Sequence, residues 1–101
     1  MERRRVVVTG LGAINAIGHN VEETWKSIKE GVCGIDEITN YDKELTKVKI
    51  AGEVKNFNAA DYLDKKAVRK MDRFTQFGVI AAKEAFKDAG LKIEEIDADR
   101  F

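Results

Sequence analysis

The chain has 101 residues, 44% of them hydrophobic and 36% charged, which fits one small folded unit or a piece of a larger one and excludes a disordered segment. Eighteen basic side chains offset eighteen acidic ones, so the net charge gives no general attraction to nucleic acid. No apolar run approaches the roughly eighteen residues of a membrane-spanning helix, and the single cysteine, Cys33, excludes an internal disulfide and fits a reducing, cytoplasmic setting.

The N-terminal Arg3-Arg4-Arg5 followed by Val6-Val7-Val8 imitates the start of a secretion signal, but Thr9, Gly10, Gly12 and Asn15 interrupt the apolar region such a signal needs. The three valines form a β-branched run of the kind found in a strand buried on both faces of an α/β sheet, ending at Gly10. Gly10-Leu11-Gly12 invites comparison with the dinucleotide-binding fingerprint. That motif requires a third Gly or Ala where Asn15 stands, and a helix opening at the glycines. The helix here starts near Asn20 instead, so the glycines read as a tight turn beside the strand and no cofactor is expected.

Asn20 has the chemistry of an N-cap, with Glu23 placed to complete a capping box. Val21, Trp25, Ile28 and Val32 recur at helical spacing, and Gly31 reads as the stop, which gives an amphipathic helix lying on a sheet. Residues 33–63 read as an inserted, mostly polar excursion, with one short extended stretch from Val48 to Val54 and a turn after Asn58.

Asp64 to Gly90 combines a basic segment with the longest apolar run. Wound as one helix, Lys65, Lys66, Arg69, Lys70 and Arg73 fall within about 140° of each other, opposite Ala67, Val68 and Met71. Asp64 and Asp72 are placed to cap a basic helix over 64–71 and a second helix over 72–89. In the second, Phe74, Phe77, Gly78, Ala81, Ala82, Ala85 and Ala89 share one face, and Val79, Ile80 and Phe86 spread the apolar surface around the cylinder. Such a helix is expected to be buried on more than one side, with something packed very close to its small residues. Beyond Gly90, Leu91, Ile93 and Ile96 alternate with acidic residues, and no second strand of a βαβ unit appears.

The blocks Arg4–Gly12, Glu23-Thr24-Trp25, Gly34-Ile35, Ala51–Lys55 and Arg69–Phe77, in that order, closely resemble the N-terminal part of the 3-oxoacyl-[acyl-carrier-protein] synthase II family, the elongating condensing enzymes of fatty acid synthesis. The resemblance implies the opening portion of a thiolase-like fold, five α-β-α-β-α layers in two similar halves, incomplete in residues 1–101. It also implies a homodimer and a next sheet strand beginning at about Arg100. The implied reaction is a decarboxylative Claisen condensation of an acyl thioester with malonyl-carrier protein, using a cysteine in an Ala-Cys-Ser context and two histidines.

None of those catalytic residues is in this chain, which alone is expected to be inactive. Cys33 stands just past a helix C-terminus, where the helix dipole disfavours a thiolate, so it reads as a small loop residue. His19 reads as a surface histidine before a helix, and as the sole histidine it leaves a metal site without an ordinary ligand set. By itself the basic segment reads as a solvated helix face. The resemblance instead assigns Lys66, Arg69 and Lys70 to docking of the acidic acyl carrier protein, with Lys65 and Arg73 as neighbours, and leaves no role for nucleic acid or membrane. The alternative within the resemblance is a non-catalytic carrier-binding or partner subunit related to chain-length factors. An independent dinucleotide-binding domain is the reading from outside it.

Overall fold

The computed structural model describes residues 2–100, the side chain of Lys43 excepted. Helix α1 (Val21–Glu30) begins as the sequence requires: the Asn20 side chain accepts from the Glu23 amide at 2.8 Å, and the Glu23 carboxylate accepts from Asn20 Nδ2 at 3.0 Å and from the His19 amide at 3.3 Å. It stops where Gly31 turns left-handed, φ 69°, and the Gly31 and Val32 amides close on the Ile28 and Ser27 carbonyls.

Strands β1 (Ile35–Glu37) and β2 (Ile50–Gly52) pair antiparallel, Ile35 opposite Gly52 and Glu37 opposite Ile50. β2 lies within the extended stretch expected from Val48 to Val54. Asn58 then caps a single 3₁₀ turn, Ala59–Asp61, by accepting from the Ala60 amide at 3.1 Å. Two helices follow at an elbow, α2 (Lys65–Arg69) and α3 (Arg73–Asp88), and Gly90 closes the second with φ 69°.

The Gly10–Gly12 segment and α3 fit together more closely than side chains allow. A Cβ on Gly12 would lie 1.8 Å from the Ala81 carbonyl oxygen, and one on Gly10 would lie 2.4 Å from that of Ala85 and 2.8 Å from the Ala89 Cβ. Only glycine facing alanine permits backbone to meet helix at this range. Two carboxylates of α3 hold the strip in register: Asp88 accepts from the Leu11 amide at 3.0 Å and Glu84 from the Ala13 amide at 2.9 Å. The other Glu84 oxygen accepts from the Val21 amide at 3.0 Å, one of the unsatisfied donors at the start of α1.

This geometry corrects several expectations. The glycines serve close approach to a helix and do not form a tight turn beside a strand. Asn15, where the fingerprint failed, closes a local turn: its amide donates to the Gly18 carbonyl, its side-chain oxygen accepts from the Ile17 amide, and its Nδ2 donates to Thr24. Val6, Val7 and Val8 pair with no strand among the described residues, and Val6 is 93% exposed. A strand exists only against a neighbour, and no described segment supplies one.

α3 is covered on one side only. Ile80 is buried, whereas Phe74 is 75% exposed and nothing lies within 4 Å of a Cβ on Gly78. The amphipathic α1 likewise buries none of its residues, and Trp25 is 57% exposed. The strand expected from about Arg100 runs on into Phe101, outside the described residues, and Arg100 itself closes a turn on the Asp97 carbonyl.

The buried apolar residues among those described are Ile38, Ala59, Leu63 and Ile80, contributed by the residue after β1, the 3₁₀ turn, the segment after it and α3. The radius of gyration is 17.3 Å, against about 13 Å for a compact chain of this size. Residues 1–101 alone are therefore expected to unfold with a shallow, weakly cooperative urea dependence; a steep two-state transition of the monomer would refute this. Gly12→Ala is expected to cost about 3 kcal/mol, because backbone rather than a flexible side chain must yield. It should abolish hydrogen-exchange protection of the Leu11 and Ala13 amides, whereas Gly78→Ala should leave both unchanged.

Candidate functional site

Lys65, Lys66 and Arg69 lie on α2, and Lys70 follows as its C-cap. All four are exposed, and among the described residues no hydrogen bond or ion pair engages their side chains. The opposite side of the short helix holds Ala67, Val68 and Met71, each half-buried, so the amphipathic division expected from sequence is present. Neither expected aspartate cap forms: the Asp64 and Asp72 side chains accept no amide hydrogen bond. Both helix starts are exposed, where water satisfies the free amides.

The single basic cylinder over residues 65–73 is broken. α2 ends at Arg69 and α3 begins at Arg73, so Arg73 does not continue the α2 face. Its guanidinium donates to the Val54 carbonyl at 2.9 Å and sits 5.4 Å from the Phe57 ring centre and 5.3 Å from that of Phe77. Each such cation–ring contact is worth about 0.5–1 kcal/mol at an exposed site. Gln76 braces the same elbow from within α3, its amide donating to the Met71 carbonyl at 3.2 Å and the Val68 carbonyl at 3.4 Å.

Phe57 is the hub of this region. Its ring stacks on Tyr62 at 5.9 Å and meets Phe77 edge-on at 5.0 Å and His19 edge-on at 6.0 Å. His19 is thus no free surface residue. Its Nε2 is 2.6 Å from the Lys55 carbonyl, which can only accept, so Nε2 carries the proton, and the Tyr62 hydroxyl donates to Nδ1 at 3.3 Å. Asn56, left-handed at φ 55°, bends the chain between Lys55 and Phe57, a conformation asparagine tolerates better than most residues.

His19 and Cys33 border one open cleft of about 410 Å³, together with Glu23, Lys55 and Asn56. Cys33 is exposed there and its thiol points to the Ile35 carbonyl at 3.8 Å. Both nitrogens of His19 are already committed, which leaves it unable to serve as base to that thiol. No local pattern announces this clustering, because His19, Phe57, Tyr62 and Arg73 are joined only by the tertiary path.

Residues 3–101 match the beta-ketoacyl synthase N-terminal domain, and the chain belongs to the beta-ketoacyl synthase family. Its fold is the N-terminal portion of the thiolase-like ketosynthase domain. "The ishigamide ketosynthase/chain length factor" superposes with TM-score 0.82 at 37% identity, over 94% of this chain and 24% of that one. A type II polyketide synthase ketosynthase, described in complex with its acyl-carrier protein, superposes with TM-score 0.71 at 29% identity, over 95% of this chain and 25% of that one.

Among curated relatives, 3-oxoacyl-[acyl-carrier-protein] synthase 2 of Staphylococcus aureus (strain COL) is 54% identical over 99 residues, which is 98% of this chain and 24% of the relative. The synthase 2 of Synechocystis sp. is 46% identical over the same 98% and 24%. The chain thus spans about a quarter of the length of these relatives.

Glu53 sets the chain leading into this region. Its carboxylate accepts from the Thr39 amide and hydroxyl, each at 2.9 Å, and from the Asn40 amide at 3.0 Å. These bonds, first the Thr39 amide, hold its pKa below the usual glutamate value of 4.5, with Arg73 adding a small attraction. A depressed folded pKa contributes stability that is full above 4.5 and lost as pH falls through the lower folded value. The Thr39 and Asn40 amide resonances are therefore expected to titrate together below pH 4.5, and Glu53→Gln should remove that titration. A midpoint at or above the ordinary value would refute the assignment.

Proposed function

We propose that this chain is the N-terminal part of a 3-oxoacyl-[acyl-carrier-protein] synthase of fatty acid synthesis. Its own contribution is scaffold and a docking surface for an acidic, phosphopantetheinylated acyl carrier protein. The observation that carries the reading is the family match over nearly the whole chain, joined to an exposed cluster of cations without a partner among the described residues. The carrier complex described for a ketosynthase relative supports the same partner.

In the proposed reaction a cysteine thiolate takes the acyl group from its carrier as a thioester. Malonyl-carrier protein then loses carbon dioxide, and the resulting enolate carbon attacks that thioester, expelling the thiolate and leaving a 3-oxoacyl chain on the carrier. The thiolate suits both steps, being a good attacker and a good leaving group. The cysteine and two histidines lie outside this segment in this reading; His19 and Cys33 are not among them. The assembly is a cytoplasmic homodimer, and neither nucleic acid nor membrane takes part. Among the described residues no helix is long and apolar enough to cross a membrane.

Lys66, Arg69 and Lys70 receive the carrier, with Lys65 beside them. An exposed ion pair contributes only about 0.2–1 kcal/mol, so three together give roughly 0.6–3 kcal/mol. That is enough to speed and orient an encounter yet lets the carrier leave every cycle. A non-catalytic subunit related to chain-length factors is the weaker reading. One structural likeness, at 37% identity, is to a protein described as a ketosynthase/chain length factor, whereas the curated relatives at 54% and 46% are named as synthases.

Charge reversal of Lys66, Arg69 and Lys70 to Glu in the full-length polypeptide is expected to raise KM for a carrier-bound thioester about tenfold to hundredfold relative to a small acyl thioester. The effect should shrink as salt is added. Equal losses with both substrates would refute docking at this surface.

A further inference from the structure

We propose that Arg73 is a positioning residue for the basic surface and not one of its contact charges: clamped to Phe57, Phe77 and the Val54 carbonyl, it fixes the α2–α3 elbow that presents Lys66, Arg69 and Lys70. The inference rests on the reading of those three residues as the docking surface.

α2 is five residues long, too short to hold its own direction in water. Its orientation comes from what its ends are tied to. At the C-terminal end, Gln76 donates to the Val68 and Met71 carbonyls, which binds the last turn of α2 to the first turns of α3. Arg73, at the first position of α3, ties that joint in turn to the excursion. Its Nη2 donates to the Val54 carbonyl, one residue past Glu53, whose carboxylate grips Thr39 and Asn40. The same guanidinium lies over two rings that meet edge-on, Phe57 and Phe77, and Phe57 is itself stacked on Tyr62 from the turn that leads into α2.

The elbow is thus held at both ends of α2 through one aromatic hub. A planar guanidinium covers rings and donates a directed hydrogen bond at once; an ammonium on a flexible stem does not reproduce that geometry. Lys66, Arg69 and Lys70 show the opposite character, with no such commitment among the described residues.

The test uses the full-length polypeptide with Arg73→Lys, which keeps the charge, Arg73→Gln, which removes it, and Phe57→Leu, which removes the hub. KM for a carrier-bound thioester is measured at several ionic strengths beside a small acyl thioester, and the melting temperature of each variant is recorded. Arg73→Lys is expected to raise the carrier KM about threefold to tenfold, as Arg73→Gln does, without changing the salt dependence. Phe57→Leu should have a similar effect, and the double variant should be no worse than the worse single one.

Full rescue by Arg73→Lys, with a shallower salt dependence for Arg73→Gln, would overturn the proposal and make Arg73 a contact charge. Should reversal of Lys66, Arg69 and Lys70 leave carrier KM unchanged, the docking reading fails by itself. The clamp is then judged on melting temperatures, where non-additive losses for Arg73→Lys and Phe57→Leu support it and additive losses refute it.

Discussion

The structure depends first on how residues 10–13 lie against α3. Backbone and helix meet at a distance only glycine and alanine allow, with Gly12 against the Ala81 carbonyl and Gly10 against Ala85 and Ala89. Glu84 and Asp88, one helical turn apart, accept from the Ala13 and Leu11 amides and hold the strip in register. Because the second oxygen of Glu84 also takes the Val21 amide, one side chain fixes the N-terminal strip, α1 and α3 relative to each other.

A second joint organises the end of the chain's fold that carries the basic surface. Phe57 gathers His19, Tyr62, Phe77 and Arg73, which come from the approach to α1, the excursion and α3. His19 contributes through a fixed tautomer, donating to Lys55 and accepting from Tyr62, and it connects the capped start of α1 to the segment that leads into α2. The basic surface therefore stands on a braced elbow. A surface held in this way is preorganised, so little free energy goes into ordering it.

Between these joints much apolar surface stays open. Val6, Val7, Val8, Trp25, Ile28 and Phe74 are all exposed, and among the described residues only four hydrophobic side chains are buried. Apolar exposure on this scale marks surfaces that pack against other protein. It accords with a chain spanning about a quarter of the length of the synthases it matches.

Local chemistry was legible in the sequence. The Asn20 and Glu23 capping box, the stops at Gly31 and Gly90, the 3₁₀ turn after Asn58 and the two sides of α2 each depend on residues within a few positions of one another. The blocks that carry the family resemblance were legible for the same reason, being contiguous. The small-residue run of α3 even announced a close neighbour. It could not say which, because the fit of Gly10 and Gly12 joins segments about seventy residues apart along the chain, a separation visible in the Leu11–Asp88 and Ala13–Glu84 bonds.

Helical periodicity overextended the basic face to Arg73, since it takes no account of a turn at Lys70–Asp72 or of two phenylalanines waiting beside the guanidinium. It likewise gave burial to Phe74 and pairing to the valines, which require neighbours that a pattern along one chain does not supply. The sequence by itself determined the capped start and glycine stop of α1, and which side of α2 is apolar, because those depend on contacts along the chain. Only the tertiary structure decided which carboxylates hold the N-terminal strip and which arginine meets the Val54 carbonyl and two phenylalanine rings, because both follow from which distant groups come together.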